Sequence, residues 1–247
     1  FEILEEFKKE GKIKNLGFSF HDCPALLDRI LTEHPAVDFV QIAFNYYDWS
    51  SSWIQSQRCY DTIRRHGKKT VIMEPVKGGM LSHPPKSLRE QMQDRRPELS
   101  PAAWALLFAA AQEDVIAVLS GMSTLEQVRE NTLLMENPSA LTKEEQQMLI
   151  DSAPLYREMG PFHRKSFEAY RGIAKNGMPV EEVLENYNSW LLQKSYGVTV
   201  CAEQCYYIGL RDRNHITGSW IEAPIIDRDG KDITETVREA ENYFLSF

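Results

Sequence analysis

The 247-residue sequence has few cysteines, few basic residues for its acidic ones, and no long hydrophobic run. Four cysteines are too sparse for a disulfide scaffold and indicate reduced thiols, so we expect a cytoplasmic protein. No apolar run reaches the ~18 residues of a transmembrane helix, and no signal-like segment is visible, so no membrane partner is expected. The formal net charge of −8 argues against nucleic acid as a partner, because phosphate binding needs clustered Lys and Arg.

What the sequence does contain is a regular alternation of strand and helix patterns. Four segments rich in β-forming residues alternate with helical patterns, at residues 14–20, 37–45, 68–76 and 115–120. Three of them are apolar runs, which is typical of parallel strands covered on both faces. Successive right-handed βα units form either a doubly wound sheet or a (β/α) barrel, and the pattern alone does not choose between them.

The C-terminal part has a different character from Asn137-Pro138 onward, and we expect a domain boundary between residues 138 and 160. Thr142 and Glu145 predict a capping box for a helix that extends to about Glu158. Further helices are predicted at 163–174 and 180–195, and after a hairpin turn within 225–235 a terminal helix is predicted with Thr234 as its N-cap. Cys201 and Cys205 form a C-x3-C pair, which we interpret as structural because two thiols make a poor metal site.

The stretch VLSGMSTLEQVREN (118–131) runs from a strand into a helix. Ser123 and Glu126 predict a capping box at the junction. The backbone N–H groups after Gly121 either form an ordinary connection or, helped by the helix dipole, bind a phosphate.

Polar residues at the ends of the other strands are further candidates. In MEPVKGGML (73–81), the Pro and the two Gly let the backbone approach a ligand closely, and Lys77 could either contact a phosphate or remain a solvated loop residue. Gln41 and Asn45 lie in an apolar run, so they either bond neighbouring backbone or point into a site. Ser19 and His21 leave the first strand in the same way.

Four motifs, taken in order, resemble the second half of an aldo-keto reductase. They are NLGFS (15–19), FVQIAFNYYD (39–48), VIMEPVKGGML (71–81) and SGMSTLEQVREN (120–131). Within that family they are most similar to the branch whose members often carry a C-terminal ferredoxin-like segment. The resemblance implies an α/β fold in which residues 1–150 supply strands five to eight of a (β/α)8 TIM-type barrel.

The resemblance also implies a nicotinamide cofactor, NADP or NAD, across the C-terminal mouth of the barrel. Ser19 and Gln41 would hold the carboxamide of the nicotinamide, and Met73 would lie against its ring. The remaining cofactor-binding residues implied by position are Pro75, Lys77, Gly78 and Gly79 beside the pyrophosphate, Gly121, Met122 and Ser123 at the adenosine phosphate, and Gln127, Glu130 and Asn131 near the adenine and ribose.

The sequence departs from the family pattern at two places. Many relatives present a Lys and an Arg to the 2′-phosphate of NADP, and the matching positions here look like Gly121 and Gln127. The choice between NADP and NAD therefore stays open, because Lys77 or Arg129 could supply the missing positive charge. In the C-terminal segment, the cysteines that hold iron–sulfur clusters in relatives would fall on Arg164, Phe167, Tyr170 and Ala174. We therefore expect residues 151–247 to form a mainly helical extension that resembles a degenerate ferredoxin-like segment without an iron–sulfur cluster or other metal.

The family places its catalytic Tyr, Lys, Asp and His on the first four strands, which this sequence does not contain. The resemblance therefore implies no catalytic residue here, and a missing N-terminal barrel half in the same chain or another. With that half, we expect NAD(P)H-dependent reduction of a small carbonyl substrate or oxidation of the alcohol. The alternative is a non-catalytic half-barrel that binds a nucleotide or a protein partner. Assembly as a homo-oligomer is compatible with either.

Overall fold

A computed structural model describes residues 1–162, 164–197 and 202–246 of the chain. By its internal contacts the chain divides into two compact units, Phe1–Ser152 and Ala153–Phe247. The first unit contains a parallel sheet with helices, and the second consists mainly of helices.

The first unit alternates strands and helices along most of its length. Its strands are β1 (Gly17–Phe20), β2 (Phe39–Ala43), β3 (Lys69–Met73) and β4 (Val115–Val118). Its helices are α1 (Glu2–Lys9), α2 (Pro24–Glu33), α3 (Ser56–Arg65), α4 (Lys86–Arg95), α5 (Pro101–Ala110), α6 (Leu125–Glu136) and α7 (Lys143–Asp151), with a 3-10 helix at Lys77–Ser82. Each strand lies within one of the four predicted segments.

The four strands form one parallel sheet in the order β1-β2-β3-β4. The predicted α/β class with a parallel sheet is therefore confirmed. The order lacks the reversal of a doubly wound sheet. One side of the sheet is packed with apolar side chains, including Val40, Ile42 and Ile72, and helices α3 and α5 cover it. On the other side, register places Ser19 beside Gln41.

Local capping signals fix several helix starts. In the sequence, Ser100 and Pro101 predict an N-cap and N1 pair, and the structure confirms it: Ser100 accepts a hydrogen bond from the Ala103 N–H, and Pro101 opens α5. Thr142 and Glu145 form the predicted capping box of α7. The box predicted at Ser123 is wrong: Thr124 is the N-cap of α6, and Gln127 completes the box. Both pairs fit the same S/T-x-x-E/Q pattern, one residue apart, and the backbone adopts the second.

Helix α4 corrects a region where the sequence predicts only a polar loop. The helix buries only two of its side chains, Leu88 and Met92. A stripe of two apolar residues in ten is too sparse to indicate an amphipathic helix by pattern.

The second unit is built from five helices and a short hairpin in the part of the chain that is described. The helices are α8 (Ala153–Arg157), α9 (Arg164–Tyr170), α10 (Val180–Ser195), α11 (Ala202–Arg213) and α12 (Thr234–Phe244); the hairpin pairs β5 (Ala174–Lys175) with β6 (Met178–Pro179). Cys201 lies outside the described residues, so the interpretation of its pairing with Cys205 has no structural counterpart.

The predictions for this unit need three corrections. The helix predicted at 163–174 ends at Tyr170, where Gly172 follows with a positive φ (74°). Asn176 and Gly177 (φ 49° and 80°) then form the turn of the hairpin. The helix predicted from Thr142 to Glu158 is divided at Ser152 into α7 and α8. Ile233, not Thr234, is the N-cap of α12, and the Thr234 hydroxyl instead accepts from the Ile225 N–H at 2.8 Å.

None of the helices described for this chain has both the length and the apolar character needed to cross a membrane. A search of the same residues finds no group of three or more His, Cys, Asp or Glu arranged to hold a metal ion.

Candidate functional site

Three of the predicted site residues meet at the carboxyl ends of neighbouring strands. Ser19 pairs in register with Gln41, so both side chains leave the same face of the sheet. The Gln41 Nε2 donates to the Met73 Sδ at 3.4 Å. Ser19 is exposed, and Gln41 and Met73 are half-buried. This end of the sheet thus offers a hydroxyl, an amide and an apolar thioether within one patch.

His21 lies just beyond Ser19 and is half-buried. Burial lowers the pKa of its imidazole below the ordinary value, which favours the neutral ring. The sequence pairs it with Ser19 as a candidate, and the structure keeps it next to the end of β1.

The connection after β3 has a strained backbone. Glu74 and Lys77 adopt positive φ (56° and 47°), and Gly78 and Gly79 follow at 59° and 93°. Positive φ is easy for glycine but unfavourable for the other two residues. Such a conformation persists only where surrounding contacts hold it, and it is common at ligand-binding loops.

The contact that holds this loop is an ion pair that the sequence did not predict. The Lys77 Nζ donates to both carboxylate oxygens of Asp48, at 3.0 and 2.9 Å, and lies 5.3 Å from the centroid of the Tyr47 ring. Lys77 is only 1% exposed. The interpretation of Lys77 as a solvated loop lysine is therefore wrong, and its ammonium faces Asp48 in the interior.

Asn45 ties the same loop to the end of β2. Its Nδ2 donates to the Asp48 carboxylate at 2.8 Å and to the Glu74 carbonyl at 3.0 Å. Its Oδ1 accepts from the Asp48 N–H at 2.9 Å. Of the two alternatives for Asn45, bonding within the protein is therefore the one observed. Asp48 was missed, although an acidic residue three positions after a buried Asn is a signal that could have found it.

The junction between β4 and α6 has the opposite character. Gly121, Met122 and Ser123 are all exposed. The Gln127 Oε1 accepts hydrogen bonds from the N–H groups of Ser123 (2.8 Å) and Thr124 (3.2 Å). These are N–H groups for which the sequence left open an ordinary connection or a phosphate site, and the protein's own side chain occupies them. An anion at this position has to displace Gln127.

A cavity of about 400 Å³ lies between the end of β4 and helices α5 and α6. Its lining includes Leu106, Val118, Met122 and Asn131, and the Asn131 Nδ2 donates to the Ser120 Oγ at 3.0 Å. This volume is in the range of small-molecule sites, ~300–1,000 Å³. Gln127 and Glu130 are exposed and do not contribute to its lining.

In the second unit, the four positions that the sequence resemblance aligns with cluster cysteines can be located in part. Phe167 and Tyr170 are buried, with ring centroids 6.0 Å apart, and Ala174 is exposed. The side chain of Arg164 lies outside the described part of the structure. The expectation that no iron–sulfur cluster binds stays a prediction.

The first unit matches a family model, and the chain resembles solved structures in fold. The model of the Aldo/keto reductase family matches residues 1–153. An aldo-keto reductase from Bacillus halodurans, in its holo form, has a similar solved structure with a TM-score of 0.50 and 23% identity; the match covers 62% of this chain and 54% of that one. A thermostable aldo-keto reductase bound to the inhibitor epalrestat matches with a TM-score of 0.50 and 21% identity, over 60% of this chain and 52% of that one.

These structural similarities show the fold alone, because the sequences are less than 25% identical. The chain spans about half the length of the solved structures that it matches. No curated protein matched the sequence.

Proposed function

Because the chain belongs to the aldo/keto reductase family, we propose that it forms the cofactor-binding half of an NAD(P)H-dependent oxidoreductase. The substrate would be a small carbonyl compound, or the corresponding alcohol in the reverse direction. One observation carries this proposal: Ser19, Gln41 and Met73 come together at the carboxyl ends of adjacent parallel strands, where barrel enzymes bind their ligands.

The side chains present fit a nicotinamide cofactor in their chemistry. Ser19 and Gln41 can donate to and accept from a carboxamide, and Met73 offers an apolar surface for a ring. Pro75, Gly78 and Gly79 would lie beside the pyrophosphate. When bound, the cofactor supplies the hydride; the residues of this chain bind and orient it.

The adenosine end would use the cavity beside α6. Met122 and Asn131 line it, which makes them the strongest of the assignments in this region. Gly121, Ser123, Gln127 and Glu130 would form its exposed rim. Because Lys77 is paired with Asp48, Arg129, which is exposed on α6, is the better candidate to contact a 2′-phosphate. We therefore propose only a weak preference between NADP and NAD.

We further propose that the sheet is half of a (β/α)8 barrel. Within the described structure, β1 and β4 each pair on one side only. The helix that precedes β1 and the helix that follows β4 expose apolar side chains: Phe1, Ile3 and Leu4 on α1 or at its start, and Leu125 and Leu133 on α6, of which Leu133 is 66% exposed. Four further strands, from the same polypeptide or another, would pair both edges and cover these surfaces.

The proton donor would come from those further strands. Tyr46 and Tyr47, the tyrosines that directly follow β2, are both buried. Their burial supports the assignment of no catalytic residue to this chain. The same observation favours the second candidate, a half-barrel that binds a nucleotide without redox chemistry. The two candidates differ in whether the complete barrel oxidises NADPH with an aldehyde as the substrate. The first candidate requires this turnover, which is followed at 340 nm, and the second excludes it.

The degenerate ferredoxin-like character of residues 151–247 is also a proposal. It is supported by Phe167 and Tyr170, whose packed rings occupy two of the positions that hold cysteines in cluster-binding relatives. A cluster-free segment of this kind would pack in the protein or form a homo-oligomer surface.

A direct test is titration of the 247-residue chain with NADPH and NADH. We expect Ser123→Asp to weaken binding of both about tenfold, because a carboxylate beside the rim repels the cofactor phosphate. Ser87→Asp is the matched control, since Ser87, like Ser123, is an exposed serine at the N-terminal end of a helix. Equal affinities for the unmodified chain and Ser123→Asp would refute the assignment of this rim, and a chain that binds neither cofactor would refute the proposed function.

A further inference from the structure

Asn45, Asp48 and Lys77 form a buried network, called the loop clamp here, that joins two separate segments of the chain. Asp48 and Asn45 follow β2, and Lys77 follows β3, 29 residues further on. Asn45 is 0% and Lys77 1% exposed. The hydrogen bonds that join Asn45 to Asp48 and Glu74, and Lys77 to Asp48, measure 2.8–3.0 Å. The clamp thus fixes residues 74–77 against the end of β2.

The segment that the clamp fixes is the strained one. Asn45 holds the carbonyl of Glu74, and Asp48 holds the side chain of Lys77, so both non-glycine residues with positive φ are attached to it. Gly78 and Gly79 follow at once, also with positive φ. Releasing either contact would let the loop relax to a more favourable backbone and move the two glycines.

Stability alone is a poor explanation of the clamp. A buried ion pair contributes little more than apolar side chains of the same size, because both charges lose their hydration. Apolar side chains are buried at nearby positions of both segments, since Phe44, Tyr46, Met80 and Leu81 are all fully buried. What a buried pair provides beyond an apolar contact is a single defined geometry.

We propose that Asn45, Asp48 and Lys77 are positioning residues that hold the backbone of Gly78 and Gly79 in the shape that receives the diphosphate of a nucleotide. The inference rests on the proposed function, because it assigns this loop to the cofactor. It gives Lys77 a role different from that of a phosphate ligand: the lysine acts through Asp48, and the loop backbone meets the ligand.

The test uses the 247-residue chain and three probes: ADP, adenosine and NADPH. The double variant Asp48→Asn/Lys77→Met removes both charges together, so that no unpaired charge is left buried. We expect its affinity for ADP and NADPH to fall about tenfold, as for one lost hydrogen bond to a charged group, with adenosine affinity unchanged. A purely structural role would lower the thermal unfolding temperature and leave the ADP affinity of the folded protein unchanged.

The matched control is Arg96→Met/Glu145→Gln. Arg96 donates to Glu145 through Nε and Nη2, both at 2.7 Å, and this pair is also largely buried in the first unit. It links the start of α7 to the end of α4 instead of the glycine loop, so the control should keep its ADP affinity.

The outcomes distinguish the two proposals. If the unmodified chain binds neither ADP nor NADPH, the proposed function fails and the inference falls with it. If the unmodified chain binds both and the clamp variant binds ADP equally well, the inference alone is refuted.

Two further measurements keep the test independent of how the double variant folds. Asn45→Ala removes the hydrogen bond to the Glu74 carbonyl but leaves both charges, and it should also weaken ADP without affecting adenosine. In the unmodified chain, saturating ADP should slow amide hydrogen exchange in residues 76–81. Unchanged exchange there would contradict a role of this loop in binding the diphosphate.

Discussion

The two loops assigned to the cofactor are held in opposite ways. Residues 74–79 are fixed by the buried loop clamp, in which Asn45 and Asp48 come from the connection after another strand, β2. The β4–α6 junction is fixed by Gln127, four residues from Ser123, at an exposed surface, and α6 buries none of its side chains. The first loop is therefore preformed, whereas the second can exchange its own hydrogen bonds for those of a ligand. The two halves of a dinucleotide would meet a rigid site and an adaptable one.

The largest effect expected from this difference is that of Lys77→Met. The substitution leaves the Asp48 carboxylate buried without its cation and should destabilise the first unit by roughly 3–5 kcal/mol. Urea denaturation followed by tryptophan fluorescence measures it.

The control for that experiment is Lys69→Met, which removes an equal charge from an exposed pair. The Lys69 Nζ lies 2.6 Å from Asp114 at the surface, where ion pairs contribute little. A loss of stability in Lys77→Met no greater than in this control would show that the clamp is not what holds the loop.

Two capping boxes of the same type give the next largest difference. Thr142→Ala should lower the free energy of unfolding by about 1 kcal/mol, because α7 is packed into the first unit through the fully buried Leu149. Thr124→Ala removes an equivalent cap from a helix with no buried residue, so it should fray α6 locally with a smaller effect on global unfolding. Amide hydrogen exchange distinguishes local from global opening; equal global effects would mean that α6 is held more firmly than its exposure indicates.

The sequence predicted those features that depend on neighbouring residues. The strands, the Ser100 cap and the Thr142 box all follow from patterns within a few positions. The cap of α6 was placed one residue too early, because Ser123 and Thr124 satisfy the same pattern and only the backbone separates them.

Features that depend on distant residues were not predictable in the same way. Ser19 and Gln41 lie side by side because the two parallel strands that carry them are in register, and a role for this pair in binding stays a prediction. The pairing of Asp48 with Lys77 joins residues from two connections, and no local pattern contains it. Whether Lys77 is buried depends on packing between distant segments. The sequence therefore left both a phosphate contact and a solvated side chain open.

The two capping boxes should also differ in how their contribution to stability responds to acid. Burial raises the pKa of Glu145, but hydrogen bonds from Arg96 and the Thr142 N–H outweigh it, so the net pKa lies below its ordinary value of 4.5. The unfolded chain therefore binds the proton more readily, and this contribution to stability is present above about pH 4.5 and is lost as the pH falls through the lowered pKa.

Glu145→Gln is the variant that isolates this contribution. Glutamine can keep the capping box, as Gln127 does in α6, but it does not titrate. Urea midpoints measured from pH 7 to pH 3 should fall less steeply in Glu145→Gln than in the unmodified chain. Parallel curves would assign the acid sensitivity to other carboxyl groups.

The smallest effect concerns the adaptable loop itself. The Gln127 Oε1 occupies the N–H groups of Ser123 and Thr124, so a phosphate bound there must first displace it. Gln127→Ala removes this competitor and should raise the affinity for ADP about two- to threefold, since neutral hydrogen bonds at an exposed site contribute ~0.5 kcal/mol or slightly more. If Gln127 instead contacts the ribose, as its position in the family implies, the same substitution should lower the affinity. Isothermal titration with ADP gives the sign of the change in affinity. An increase means that the junction exchanges its internal hydrogen bonds for a phosphate, and a decrease means that it keeps them while the ligand binds beside it.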